Sequence, residues 1–252
     1  MKYSIIVPFY NRSGQFVHFL KSLRYWNFSM LDYEVVVVVD SKTTVGDRER
    51  LSWLLEDNYD EIKIQLHTYD NTGSLNPCRL FNYGVKKAEG EYIILTNPET
   101  AFLSPIFEQL DKGFGENPYS YQMISCLDGT MYKNPKVYLA SDWLQHSQYN
   151  NRMLHFCSAI KKSLFQSFGG FDENYAICPG VDDDDLLETI KASNIPIVLR
   201  DDIIALHQAH EITFQVDLEA CKPNKEYFIK KWGFNKWLNQ PQMVNSERFG
   251  TK

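Results

Sequence analysis

The 252-residue sequence has no CxxC pair, and its five cysteines, at positions 78, 126, 157, 178 and 221, are far apart and odd in number. That spacing excludes a zinc knuckle or a dense disulfide frame and predicts reduced thiols, hence a cytoplasmic protein. No apolar run reaches membrane-spanning length, and the short run at Met1 to Pro8 does not suit a signal peptide. There is no Lys/Arg block to offset a net charge of -6, which argues against nucleic acid and anionic membranes as partners. The first strand is not followed by G-x-G-x-x-G, so the dinucleotide fingerprint is missing too. Repeats and low-complexity linkers are likewise missing, and one domain over 1–252 is the simplest expectation.

What is present is an alternation of strand and helix. Tyr3 to Val7 is a short apolar run closed by Pro8, and Phe16, Phe19, Leu20 and Leu23 recur at helical spacing within 15–26. Glu34 to Val39 is β-branched without polar alternation, as in a strand buried on both faces, and ends at Asp40. A helix fits 47–56, a strand 62–68, a helix 78–88 and a strand 92–95. The pattern is βαβαβ, an α/β fold with a parallel sheet, whose ligands bind beyond the carboxyl ends of the strands. Those ends carry Pro8 to Asn11, Asp40 and Asn97 to Glu99. After about residue 100 the pattern loosens into aromatic-rich stretches, until helices at 183–192 and 224–232.

Four segments carry candidate chemistry, each beside a plain structural alternative. Pro8, Phe9, Tyr10 and Asn11 with Asp40 either end strands and begin turns or line a nucleoside pocket. Asn97 and Glu99 either form an Asn-Pro turn or offer oxygens to a hard cation on a diphosphate. The run Asp182 to Asp185 suits a helix start, but four adjacent carboxylates exceed what capping needs. A carboxylate held there could take a proton from an acceptor hydroxyl. His207 and His210 form an H-x-x-H after an apolar run, with one of the pair expected at the surface.

Taken in order, these segments resemble the family 2 and related glycosyltransferases of the GT-A fold. The resemblance rests on S-I-I-V-P-F-Y-N-R, Asp40, R-L-F-N-Y-G with A-E-G-E-Y-I-I-L, G-G-F-D-E with V-D-D-D-D-L-L, and the late histidine. The acidic motif resembles that of galactosyl and N-acetylgalactosaminyl transferases and of chondroitin-polymerising enzymes. The resemblance implies a Rossmann-like, mixed and mostly parallel sheet flanked by helices. It divides the chain into a nucleotide-binding half (1–100), an acceptor half (101–215) and a helical tail (216–252). It implies transfer of a sugar from a nucleotide-diphosphate donor, UDP above all, to a glycan or other hydroxyl, with inversion and with Mn²⁺ or Mg²⁺. Pro8, Phe9, Tyr10, Asn11 and Asp40 would face the nucleoside, while Arg79 and Asn97 would face the diphosphate. Glu99 and His207 would hold the metal, with His210 as the alternative imidazole, and Asp183 would be the base beside Asp182. Asn97-Pro98-Glu99 stands where the family carries Asp-x-Asp, one negative charge short. A non-catalytic nucleotide-sugar binding module is the rival this departure supports. A nucleotidyltransferase lacks support, because Pro8 to Gly14 is not Gly- and Lys-rich.

Overall fold

The computed structural model describes residues 1–27, 32–58, 62–71, 76–145, 147–150, 152–175, 181–210 and 221–236. Four parallel strands form its first half: β1 (Tyr3–Phe9), β2 (Tyr33–Asp40), β3 (Lys63–Tyr69) and β4 (Tyr92–Leu95), in the order β3-β2-β1-β4. Every residue of β2 is buried, as its unbroken valine run requires of a central parallel strand. Between these strands run α1 (Ser13–Asn27), α2 (Val45–Asn58) and α3 (Pro77–Lys87). The last begins with Asn76 accepting from the Arg79 amide at 3.4 Å and with Pro77 in the first turn, where its missing N–H costs nothing.

The stretch from 100 to 210 is more regular than its sequence suggests. It forms β5 (Thr100–Phe102), α4 (Phe107–Glu116), β6 (Tyr121–Met131), β7 (Tyr138–Gln145), β8 (Ser158–Lys161), α5 (Lys162–Ser167), α6 (Val181–Ala192) and β9 (Ile197–Gln208). The sheet continues β4-β8-β6-β9-β5, with β7 hydrogen-bonded to β6. β6 and β9 are parallel, whereas β8 and β5 run antiparallel to their neighbours. The fold is therefore the expected mixed α/β architecture. Apolar residues of α1 and α4 cover one face of the sheet, and those of α3, α6 and α7 (Lys222–Trp232) cover the other.

One buried carboxylate ties the first strands together. Glu34 is fully buried on β2 and accepts from Ser4 Oγ at 2.6 Å, the Glu89 amide at 2.6 Å and Gln65 Nε2 at 2.7 Å, with Lys63 Nζ at 3.3 Å. Burial alone would raise its pKa, but these donors outweigh it and hold the carboxyl below the usual glutamate value. Ser4 Oγ in turn accepts from the Gly90 amide at 2.7 Å, so three strands and the turn into β4 share one network. Cys78, Cys126 and Cys157 are free buried thiols, whereas Cys221 is disulfide-bonded, so the expectation of five reduced thiols fails there. Cys178 lies outside the described residues.

A methyl group at Gly90 would lie 2.6 Å from the Ser4 amide nitrogen and 2.7 Å from the Tyr3 carbonyl carbon, both central backbone atoms that cannot swing aside. Gly90→Ala is expected to cost ~1–3 kcal/mol, the usual penalty of overpacking. The shift of the urea midpoint measures it, and an unchanged midpoint would mean that the turn relaxes freely.

Candidate active site

Leu95 of β4 lies beside Ile6 of β1 and Ser158 of β8, and the chain leaves the sheet through Thr96. A tight turn follows, closed by the Thr100 amide on the Asn97 carbonyl at 3.1 Å, which leaves Asn97 and Glu99 half-buried. β5 then pairs Thr100 with His207 of β9. Gln208 locks this junction from beneath. Its amide and its Nε2 donate to the Glu99 carbonyl at 2.9 and 3.1 Å, and Nε2 also reaches the Gln15 carbonyl at 3.1 Å. Its Oε1 meets His18 Nδ1 at 2.7 Å. Helix α1 thus fixes where Glu99 sits.

Glu99, His207 and His210 each offer a ligand atom within 4.8 Å of the others. His210 Nε2 is 3.8 Å from Glu99 Oε1, and the two imidazoles lie 5.3 Å apart. His207 Nδ1 is 3.2 Å from Asp128 Oδ1, and His210 Nδ1 is 3.0 Å from Arg12 Nη2. One carboxylate with imidazole suits a hard or borderline divalent cation that completes its shell with phosphate oxygens. Both histidines of the H-x-x-H thus belong to one cluster, where the sequence suggested that one would point away.

The second such cluster among the described residues joins Asp182 and Asp183 to His155, all three buried. The His155 amide donates to Asp183 Oδ1 at 2.5 Å, and its Nδ1 lies against the same oxygen. Burial alone would lower the imidazole pKa, yet the Asp183 carboxylate outweighs it and lifts it above the ordinary value. The ring stands edge-on to Phe81 and Phe171, at 4.7 and 4.8 Å. Cys78 Sγ is 3.8 Å from Asp182 Oδ2. The four adjacent carboxylates face different partners, although burial and, to a lesser extent, Asp183 still raise the pKa of Asp184. Asp184 pairs with Lys236, while Asp185 accepts from Tyr175 Oη at 3.0 Å, Lys231 Nζ at 2.9 Å and Trp232 Nε1 at 2.7 Å. Half of the acidic run therefore anchors α6 to the C-terminal segment.

The two clusters are joined by consecutive residues. His155 touches Asp183, and the ring of Phe156 lies 5.6 Å from that of His207. Cys157 follows with φ of 58°, a left-handed conformation unusual for any residue but glycine.

The remaining predicted residues line the strand ends. Asn11 has φ of 51°, and its Oδ1 accepts from the Thr44 amide at 2.9 Å. Asp47 accepts from Ser13 Oγ at 2.5 Å, which pins the loop to α2. Pro8 and Tyr10 are half-buried there. Phe9 is different: its ring is fully buried 5.7 Å from Phe16, so only its backbone can face a ligand. Asp40 is fully buried, accepting from the Lys42 amide and from Asn71 Nδ2, each at 2.8 Å. Arg79 lies on the first turn of α3, 3.9 Å from Glu173.

Residues 4–139, more than half of the chain, match the Glycosyl transferase family 2 domain. The chain belongs to the family 2 glycosyltransferases. It is 29% identical over 99 residues to poly(ribitol-phosphate) beta-N-acetylglucosaminyltransferase TarS of Staphylococcus aureus, an alignment covering 39% of this chain and 16% of that protein. The fold superposes on the solved S. aureus TarS 1-349 in complex with UDP-GlcNAc with a TM-score of 0.65 and 20% identity, covering 92% of this glycosyltransferase and 66% of that chain. A mannosyltransferase from Pyrobaculum calidifontis, in complex with GDP-Man and Mn²⁺, gives 0.61 at 17% identity over 84% of this chain and 58% of its own. No described helix of this glycosyltransferase is long and apolar enough to cross a membrane.

Sequence reasoning missed His155, Asp128 and Gln208, and it gave Arg12 no role. The first lies in an unpatterned stretch, Asp128 meets His207 through strand pairing, and Gln208 and Arg12 find partners 193 and 198 residues away only in the fold.

The raised pKa of His155 means that the folded protein holds that proton more tightly than the unfolded chain. The pairing therefore adds stability below the unfolded value of 6.5 and loses it as pH rises through the folded value. Across that window the melting temperature should fall more steeply for the native protein than for His155→Gln. Parallel profiles would mean that the buried pair is not ionised.

Proposed function

We propose that this glycosyltransferase moves a sugar from a UDP-sugar to a hydroxyl of a glycan or similar acceptor, with inversion and with Mn²⁺ or Mg²⁺ on the diphosphate. The observation that carries the reading is the contiguity of the two clusters, with Asp183 on one side of residues 155–156 and His207 on the other. In an inverting displacement the acceptor attacks and the diphosphate departs on opposite sides of one anomeric carbon, and two linked sites with different chemistry suit that geometry. Complexes of remote neighbours with UDP-GlcNAc, with UDP, and with GDP-Man and Mn²⁺ support a nucleotide-sugar donor.

In this reading Pro8, Tyr10, Asn11, Asp40 and the Phe9 backbone receive the nucleoside, and Arg79 and Asn97 lie toward the diphosphate. Glu99 and His207 hold the cation, a role their donor set and spacing fit. A divalent cation held by these residues would supply positive charge to offset that of the leaving diphosphate. Asp183 takes the acceptor proton as that oxygen forms its bond to the anomeric carbon and the bond to diphosphate breaks. His155 keeps the Asp183 carboxylate oriented, and Asp182 lies beside the acceptor.

One observation favours a second reading: Asn97 replaces a charged ligand, as in a binding module that has lost catalysis. The disulfide at Cys221 weighs against a reducing cytoplasm.

Asp183→Asn should lower transfer by ~10² to 10⁴ and leave UDP affinity unchanged by calorimetry, since the carboxylate serves the acceptor. Wild-type turnover in that variant would sink the assignment.

With so few charged ligands, Mn²⁺ should bind weakly to the protein alone and clearly once UDP supplies phosphate oxygens. UDP-dependent binding is read as loss of the free Mn²⁺ paramagnetic resonance signal, and Glu99→Gln should abolish that loss. Full activity in excess EDTA would overturn the metal-dependent mechanism.

A further inference from the structure

His207 and His210 stand three residues apart and carry opposite hydrogen-bond partners. An ionised carboxylate can only accept, so Asp128 Oδ1 at 3.2 Å makes His207 Nδ1 the donor. A guanidinium can only donate, so Arg12 Nη2 at 3.0 Å makes His210 Nδ1 the acceptor. A neutral imidazole carries one proton, and the partner at one nitrogen decides the state of the other. His207 therefore presents a lone pair at Nε2. His210 presents an N–H at Nε2, the atom that lies 3.8 Å from Glu99 Oε1.

We propose that Asp128 and Arg12 are positioning residues that divide the work of this pair, making His207 the imidazole ligand of the cation and leaving His210 an N–H donor that does not ligate it. The inference rests on the reading that Glu99 and His207 hold the cation. Its first half follows the pattern in which a ligating imidazole gives its other N–H to a carboxylate, fixing tautomer and ring orientation and raising basicity. Asp128 reaches His207 because β6 and β9 pair those two residues in register. Its side chain is 46% exposed, so register, not a packed pocket, puts the carboxylate there. The second half explains why a second imidazole close to Glu99 need not ligate. While Arg12 occupies the Nδ1 lone pair, Nε2 keeps its proton and can only donate; at 3.8 Å Glu99 is beyond hydrogen-bond reach, which leaves that N–H for a phosphate oxygen brought beside it.

Two-bond ¹H–¹⁵N correlations of the histidine rings test the tautomers without any metal. They should be recorded well above the imidazole titration range. In the native protein His207 should be the Nδ1–H form and His210 the Nε2–H form. Asp128→Ala should release His207 toward Nε2–H and weaken UDP-dependent Mn²⁺ binding by about 10- to 100-fold, as is typical when such a partner is lost. Arg12→Ala should release His210 from its single tautomer, and His210→Ala should keep Mn²⁺ binding within a few-fold of the native value. A native His207 protonated at Nε2, or Asp128→Ala with unchanged tautomer and Mn²⁺ affinity, would overturn the inference. His207→Ala separates the two levels. If it loses Mn²⁺ while Asp128→Ala does not, the inference alone fails. If it keeps native Mn²⁺ binding, the cation site itself was misassigned and both fall.

Discussion

The site depends on the register of one strand. β9 runs between β6 and β5, so His207 is paired with Asp128 on one side and Thr100 on the other. Three segments remote in sequence are brought to a single point by this backbone pairing. A slip of one residue along β9 would turn the imidazole to the opposite face of the sheet. Gln208 guards against that slip: buried one residue further on, it bonds to Glu99 and Gln15 and meets His18. The cation cluster inherits its geometry from this ladder.

Buried carboxylates serve two ends in this fold, and their donors separate them. Glu34 is surrounded by neutral and cationic donors, stays ionised and knits strands together. Asp183 is also buried but lies against an imidazole whose pKa it raises. The first arrangement leaves nothing for chemistry to change. In the second, the charge balance can respond when a proton arrives from outside. Asp185 belongs with Glu34, since the side chains of Tyr175, Lys231 and Trp232 use it to fasten α6.

Much of the first half was legible because β1, β2 and β4 are dominated by apolar residues and its helices carry simple periodicity, so β1 to β4 and α1 to α3 stand close to where the sequence puts them. The second half hid its strands. β6 and β9 bury Gln122, Ser125 and Arg200, which read as surface residues until Gln122 is seen to accept from Arg200 and Ser125 to donate to Asp201. The same reason applies to the site. Glu99, His207 and Asp183 stood out through motif and position. Asp128 and His155 did not, because their partners lie 79 and 28 residues away and only the fold brings them near. Phe9 misled through its neighbours: alternation along β1 sends its ring into the core while Pro8 and Tyr10 remain at the loop.

That His155 and Phe156 are neighbours in the chain limits how such an enzyme can evolve. One peptide unit spans the distance between the residue resting on Asp183 and the residue resting on His207. An insertion or deletion there would shift both sides at once, and the left-handed backbone at Cys157 narrows the choice of local conformations further. Changes of acceptor or donor preference are therefore expected to accumulate in the loops around this segment rather than within it. The dipeptide acts as a ruler, and lineages that alter what is joined would still share its length.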